Sequence, residues 1–324
     1  MTMNLHTILK SVEKPGRYTG GEWGQTIKDK NAVDVRFAFC FPDNYEIGMS
    51  NLGIRILYGV LNNEENVWCE RAYAPWPDME EKMREYGIPL YAHESGDPLS
   101  DFDIVGFTLQ YELCYTNVLN MLELGGIPLL ASERGENDPI IIGGGPCAYN
   151  AEPIADFFDV LDIGEGEEML PRFTRMYAKM KREGASRAEI LRATSHLDGF
   201  YVPALYEVEY GADGTISSFE PKYDDIPRTV QKQIIADLDS VYFPDKFVMP
   251  YIETVHDRIV PEVYRGCIRG CRFCQAGMIY RPVREKSPDV LDAQCRRLYE
   301  NTGFDEISLC SLSISDYSRL GELT

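Results

Sequence analysis

No apolar run in this sequence approaches the roughly 18 residues that cross a bilayer, so no membrane-spanning helix is expected. Met1 to Lys14 carries charges early and has no apolar core, so no signal peptide is expected and the cytoplasm is the expected location. Basic residues are scarce: 32 Lys plus Arg stand against 52 Asp plus Glu, a formal net charge of −20. Such a surface repels a nucleic-acid backbone, which disfavours duplex binding, although one local basic patch can still meet RNA. The chain has neither a Gly-x-x-x-x-Gly-Lys-Ser/Thr phosphate loop nor a Gly-x-Gly-x-x-Gly dinucleotide fingerprint. Its nine cysteines are an odd number without an export signal, which argues against a disulfide framework.

What is present is an ordinary globular composition, 44% hydrophobic over 324 residues, with room for two domains or three. Apolar runs at 33–41, 66–73, 104–109, 139–142 and 160–163 read as buried strands. Helical patterns at 52–62, 79–86, 115–124 and 164–181 alternate with them. That alternation predicts a Rossmann-like, doubly wound, mostly parallel α/β sheet, with ligand-lining loops at the strand carboxyl ends. A hairpin over 201–221 and a proline-bearing connector over 222–250 follow. A second block then opens with a strand at 259–264, a helix at 288–301 begun by Ser287 and Pro288, and a strand at 306–312. Two β/α steps fall well short of the roughly 200 residues of even a partial barrel. The expectation is a barrel domain cut short at Thr324, with an exposed edge strand.

Six cysteines (Cys40, Cys69, Cys114, Cys147, Cys295 and Cys310) are scattered, mostly among apolar neighbours. The other three fall within the eight-residue run Cys267, Ile268, Arg269, Gly270, Cys271, Arg272, Phe273, Cys274. Thiolates bind iron and zinc. Structural zinc is usually closed by two distant Cys-x-x-Cys hooks, and ferredoxin clusters take four thiolates. Three thiolates leave one metal position open, as a catalytic centre requires. Gly266 and Gly270 let the loop fold tightly, and Arg265, Arg269 and Arg272 bring charge that favours thiolate. The alternative is a non-catalytic iron–sulfur or zinc-binding interaction protein, for which His256 is the nearest histidine and is poorly placed.

The spacing Cys-x3-Cys-x2-Cys, with Phe273 before the last cysteine, resembles the signature of the radical S-adenosylmethionine superfamily. The resemblance implies that Cys267, Cys271 and Cys274 hold a 4Fe-4S cluster whose fourth iron chelates S-adenosylmethionine. It implies one-electron cleavage of the sulfonium to a 5′-deoxyadenosyl radical. Phe273 would lie in the S-adenosylmethionine site, joined by Ser313, Ser315 and Asp316 at the end of the second strand. The Gly-Gly-Glu-like motif common at that place is absent, and Asp316 reads equally as a turn residue. The resemblance also implies a one-electron donor such as flavodoxin or ferredoxin. It leaves the substrate open among small molecules, RNA and proteins.

Three glycine-bearing loops follow strands: 41–53, 143–146 and 164–167. Such loops allow close backbone approach to a flat or phosphate-bearing ligand, and they serve ordinary tight turns equally well. Together with the cysteine run they resemble proteins in which a cobalamin-binding-like domain precedes a radical S-adenosylmethionine domain, over nearly the whole chain. Tyr45, Gly48, Gly53, Gly143, Gly144, Gly145, Gly164 and Gly166 are then the candidate cobalamin contacts. The Asp-x-His-x-x-Gly loop that places histidine on cobalt is missing, and His93 and His196 read as surface or turn residues. Either cobalamin binds without a protein histidine, or the fold persists and binds none. The expected organisation is a lead-in at 1–30, a cobalamin-binding-like domain at 31–185, hairpin and connector at 186–250, and the start of the radical S-adenosylmethionine domain at 251–324. With cobalamin, radical methyl transfer or a rearrangement is the implied chemistry. Without it, hydrogen abstraction is.

Overall fold

The computed structural model describes residues 5–323. The lead-in helix α1 (Leu5–Leu9) precedes strand β1 (Val35–Phe41), helices α2 (Tyr45–Ser50) and α3 (Leu52–Asn62), and strand β2 (Val67–Tyr73). Helix α4 (Pro77–Tyr86), β3 (Ile104–Thr108), α5 (Tyr115–Leu124), β4 (Ile140–Gly144), β5 (Val160–Asp162) and α6 (Gly166–Arg182) follow. Helix α7 (Arg187–Thr194) leads to β6 (Phe200–Tyr201), and β7 (Tyr206–Tyr210) and β8 (Ile216–Pro221) form the expected hairpin.

Six strands form one sheet in the order β2-β1-β3-β4-β5-β6. The first five are parallel, and β6 joins antiparallel through Leu161 opposite Tyr201. The sheet thus takes its last strand from beyond residue 185. The parallel strands are buried on both faces, as their mainly apolar composition predicts, with Arg36 in β1 and Glu70 and Arg71 in β2 as the charged exceptions. The chain leaves β1 to one side for β2 and returns on the other side as β3. This is the topological switch point beside which doubly wound sheets bind ligands.

Most of the stretch 41–53 is helical, in α2 and the start of α3, rather than an open glycine loop. Asn44 caps α2 by accepting from the Ile47 amide at 3.1 Å, and Asn51 caps α3 by accepting from Ile54 at 3.0 Å. Two asparagines at helix starts carry the same sequence signal as a loop, which is why the pattern reads either way.

The last block is a β-α-β unit. Ile259 and Glu262 bridge Ile307 and Cys310 in parallel, with α9 (Pro288–Thr302) as the crossover. Ahead of α9 come strand β9 (Tyr264–Arg265), helix α8 (Ala276–Ile279) and strand β10 (Arg284–Glu285). Strands β9 and β10 pair antiparallel at the root of the cysteine loop. Ile259, Leu298 and Phe304 pack with Phe243 and Phe247 of the connector against Ile56 and Val60 of α3. Helix α3 therefore serves two cores, because Ile54, Tyr58 and Leu61 face the sheet. The lead-in also belongs to the body: Ile8 is in the core, and Arg17 donates to both carboxylate oxygens of buried Glu46. Among the described residues no helix is long and apolar enough to cross a membrane.

Candidate functional site

A cavity of about 840 Å3 opens at the carboxyl ends of β1, β3, β4 and β5. Its sheet-side wall is Phe37, Phe39, Gly106, Thr108 and Gly144; α3 adds Leu52, Gly53 and Leu57. The opposite wall is the last block, through Glu262, Tyr264, Arg265, Gly266, Tyr280 and Cys310. The cavity thus lies between the sheet and the base of the cysteine loop.

The candidate residues divide around it. Gly53, Gly144, Gly145, Gly164 and Gly166 line the cavity. Tyr45, Gly48 and Gly143 stand outside its walls. A Cβ on Gly48 would come 2.4 Å from the Tyr73 ring, and one on Gly143 would come 2.7 Å from Phe158, so both are packing glycines. Tyr45 is buried and donates to Glu22 at 3.0 Å, in a network where Arg71 bridges Glu22 and Glu94. Of the surface or turn reading of His93, the turn holds and the surface does not: the residue is buried in the same network, stacked on Tyr45. These partners lie far apart in sequence, which leaves no local pattern to read. His196 is half exposed beside Asp225, whereas His256 lies on the cavity wall.

The loop Gly164 to Glu167 holds the last block. Glu165 takes a two-pronged pair from Arg284, at 2.7 Å on each oxygen, and also accepts the Ile235 amide at 2.6 Å. Arg265 reaches Glu165 at 3.2 Å and Glu262 at 2.8 Å, and contacts Glu167 as well. Burial disfavours the Arg265 charge, but Glu262 and Glu167 outweigh it and hold the guanidinium more firmly protonated than usual. Burial likewise pushes Glu165 up, and Arg284 and Arg265 bring it below the ordinary carboxylate range. Buried Arg284 and partly buried Arg265 therefore pin both strands at the root of the cysteine loop to one β–α turn of the sheet. Arg265 consequently spends its charge on carboxylates, not on the thiols beside it.

Within the loop Cys267 and Cys274 are half-buried and Cys271 is exposed. Gly266 (φ 96°) and Gly270 (φ 61°) adopt left-handed backbone, and a Cβ on Gly266 would meet Val283 Cα at 2.9 Å. Among the described residues no three His, Cys, Asp or Glu side chains stand together as a formed metal site. The donor set still fits a cluster in its chemistry: three soft sulfur ligands on one short loop with glycine at both bends, rooted firmly at each end. Ligands that converge only when metal offsets their mutual repulsion are common in such loops. Arg269 pairs with Asp316, Nε to Oδ2 at 2.6 Å, and Ser313 donates to Asp316 at 2.8 Å. The end of the second strand is thereby joined to the cysteine loop. Ser315 is exposed, and Phe273 stands 93% exposed on the loop surface.

Residues 53–203 match the family described as radical SAM proteins, N-terminal. An uncharacterised protein of Methanocaldococcus jannaschii is 25% identical over 292 residues, covering 88% of this chain and 51% of its own. The chain thus spans about half the length of that relative. Among solved structures, the radical S-adenosylmethionine methyltransferase TsrM of Kitasatospora setae, with cobalamin and a 4Fe-4S cluster bound, is 12% identical. It superposes with a TM-score of 0.48 over 89% of this chain and 51% of that one. The same enzyme with tryptophan and a S-adenosylmethionine analogue bound gives 0.47 at 12% identity, over 86% and 48%. The family match lies on the sheet and stops before the cysteine loop, so it is independent of the thiol spacing. Residues 53–203, somewhat less than half of the chain, are thus similar to the N-terminal region of radical SAM proteins.

Proposed function

We propose that Cys267, Cys271 and Cys274 hold a 4Fe-4S cluster, that S-adenosylmethionine binds the iron they leave open, and that cobalamin occupies the adjoining cavity. The observation that carries this is the three-thiol loop, rooted by Arg265 and Arg284, in a chain whose sheet region matches the family independently. When bound, the cluster supplies the electron that cleaves the sulfonium into methionine and a 5′-deoxyadenosyl radical. The chain's own residues bind and orient. Glu165 and Glu167 fix the loop root through the two arginines. Asp316, held by Arg269 and Ser313, presents a carboxylate beside the loop for the amino group of S-adenosylmethionine. The cavity, at the upper end of ligand-pocket sizes, supports a large ligand bound by backbone approach at Gly144, Gly145 and Gly164. A small one-electron carrier such as flavodoxin or ferredoxin would reduce the cluster through the exposed loop surface around Phe273.

Anaerobic reconstitution tests the reading. The expected result is about four iron and four sulfide per chain, abolished by Cys271→Ala. Tight stoichiometric zinc without sulfide would overturn it in favour of a zinc-binding interaction protein.

A further inference from the structure

The carboxylates around the cavity face cations, with one exception. Glu165, Glu167 and Glu262 all meet Arg265, and Glu165 meets Arg284 as well. Asp162, the last residue of β5, meets no cation among the described residues. It is 5% exposed, it lines the cavity, and its Oδ1 has no hydrogen-bond partner among the described residues. The charged neighbour that bears on it is Glu167, of the same sign. Its carboxyl lies directly across Gly144, where a Cβ would come 1.9 Å from Oδ1. Gly144 thus keeps the approach to Asp162 free of side chain at the cavity floor.

Ordinary structural roles do not account for this group. It caps no helix, since α6 starts at Gly166 without a side-chain cap, and it makes no ion pair. A buried carboxyl oxygen without a partner destabilises the fold. A binding site is where such a group gains its partner from the ligand.

We propose that Asp162 is a ligand-binding carboxyl on the cavity floor, accepting a hydrogen bond from a primary amide at the edge of a corrin-type macrocycle. The proposal rests on the reading of the cavity as a cobalamin site and names the contact that selects the ligand. The corrin edge of cobalamin carries primary amides, each with two N–H donors and no charge. An amide satisfies Asp162 without burying a further ion. A carboxylate at the same position would set a like charge against Asp162 and Glu167 and be rejected. The site therefore discriminates amide-bearing corrinoids from acid-bearing ones.

The experiment titrates hydroxocobalamin, and its derivatives with a single side-chain amide hydrolysed to the acid, into the metal-free chain above about pH 7, where Asp162 is ionised. Binding is followed by the corrin visible spectrum. Asp162→Asn is expected to bind hydroxocobalamin at least about tenfold more weakly than wild type, the effect of losing a charge-assisted hydrogen bond. At least one acid derivative is expected to bind wild type about tenfold more weakly than the parent, with that penalty gone in Asp162→Asn. Asp162→Ala should lose the same affinity, and thermal unfolding shows that each variant is folded. Equal affinity of wild type and both variants, or acid derivatives that all bind like the parent, overturns the assignment of Asp162 and leaves the cobalamin reading standing. A wild-type chain that binds no corrinoid overturns both.

Discussion

A carboxyl in water ionises near pH 4, but burial of Asp162, with Glu167 close by, pushes its value up to about 7. The folded state therefore holds this proton where the unfolded chain has released it. Stability from this group is intact at low pH and is lost as pH rises from about 4 through about 7. A shift of that size is worth up to about 4 kcal/mol. Asp162→Asn removes the titration. Its melting temperature should equal that of wild type below about pH 4, exceed it increasingly between about pH 4 and about pH 7, and keep a steady gap above that. A constant gap between about pH 4 and about pH 7 in thermal unfolding would contradict the burial account. The same geometry makes Gly144 sensitive: Gly144→Ala forces Asp162 aside and should weaken corrinoid binding while leaving β4 paired. Isothermal titration checks the first expectation and far-ultraviolet circular dichroism the second.

At the scale of elements, the cysteine loop is held from outside itself. Its two root strands carry two residues each and make one short antiparallel ladder, too little to stand alone. Glu165, with Glu167 and Glu262 on Arg265, supplies the rest. Glu165→Gln leaves Arg284 and Arg265 with less anionic charge in a site from which water is largely excluded. Removing one partner of such a buried pair costs about 3 kcal/mol. Hydrogen exchange should rise across 264–285 in the metal-free variant while β1 to β4 keep their protection. Unchanged protection of 264–285 would mean that the loop is fixed by other contacts. The sequence made the cysteines, the strand before them and α9 legible, because spacing and periodicity are local signals. It did not reveal the clamp, because Glu165 and Arg284 are joined across 119 positions. The glycines of 164–167 drew attention as ligand contacts. Gly164 and Gly166 do line the cavity, but the acidic residues between and beside them carry the binding energy of the turn, towards arginines rather than a cofactor. In the sequence the arginines of 281–284 read as able to meet a carboxylate or phosphate, or as a solvated basic turn; Arg284 does meet a carboxylate, but nothing local names Glu165 as its partner.

Across the whole molecule, one helix joins the two parts. Helix α3 presents Ile54, Tyr58 and Leu61 to the sheet and Ile56 and Val60 to the last block. A periodic pattern shows that a helix has an apolar face; it does not show that a second face is covered by residues two hundred positions later. The last block, which by its few strands reads as an incomplete domain with an exposed edge, is anchored through Leu298 and Phe304 on that second face. Leu298→Ala opens a void at a fully buried position and should cost about 3 kcal/mol. Wild type should melt in one transition reporting both parts, and separate transitions for sheet and last block would contradict the shared core. The cavity lies at the same junction, walled by the sheet's glycine turns and by the strand leading to Cys267.

The function proposed for the cysteine loop requires that it leave one iron free for S-adenosylmethionine. The most direct measurement is the electron paramagnetic resonance spectrum of the reconstituted, dithionite-reduced chain, recorded with and without S-adenosylmethionine. The three-thiolate reading predicts a reduced 4Fe-4S signal whose g-values shift when S-adenosylmethionine is added, and loss of the signal in Cys271→Ala. A cluster signal that S-adenosylmethionine leaves unchanged would contradict it.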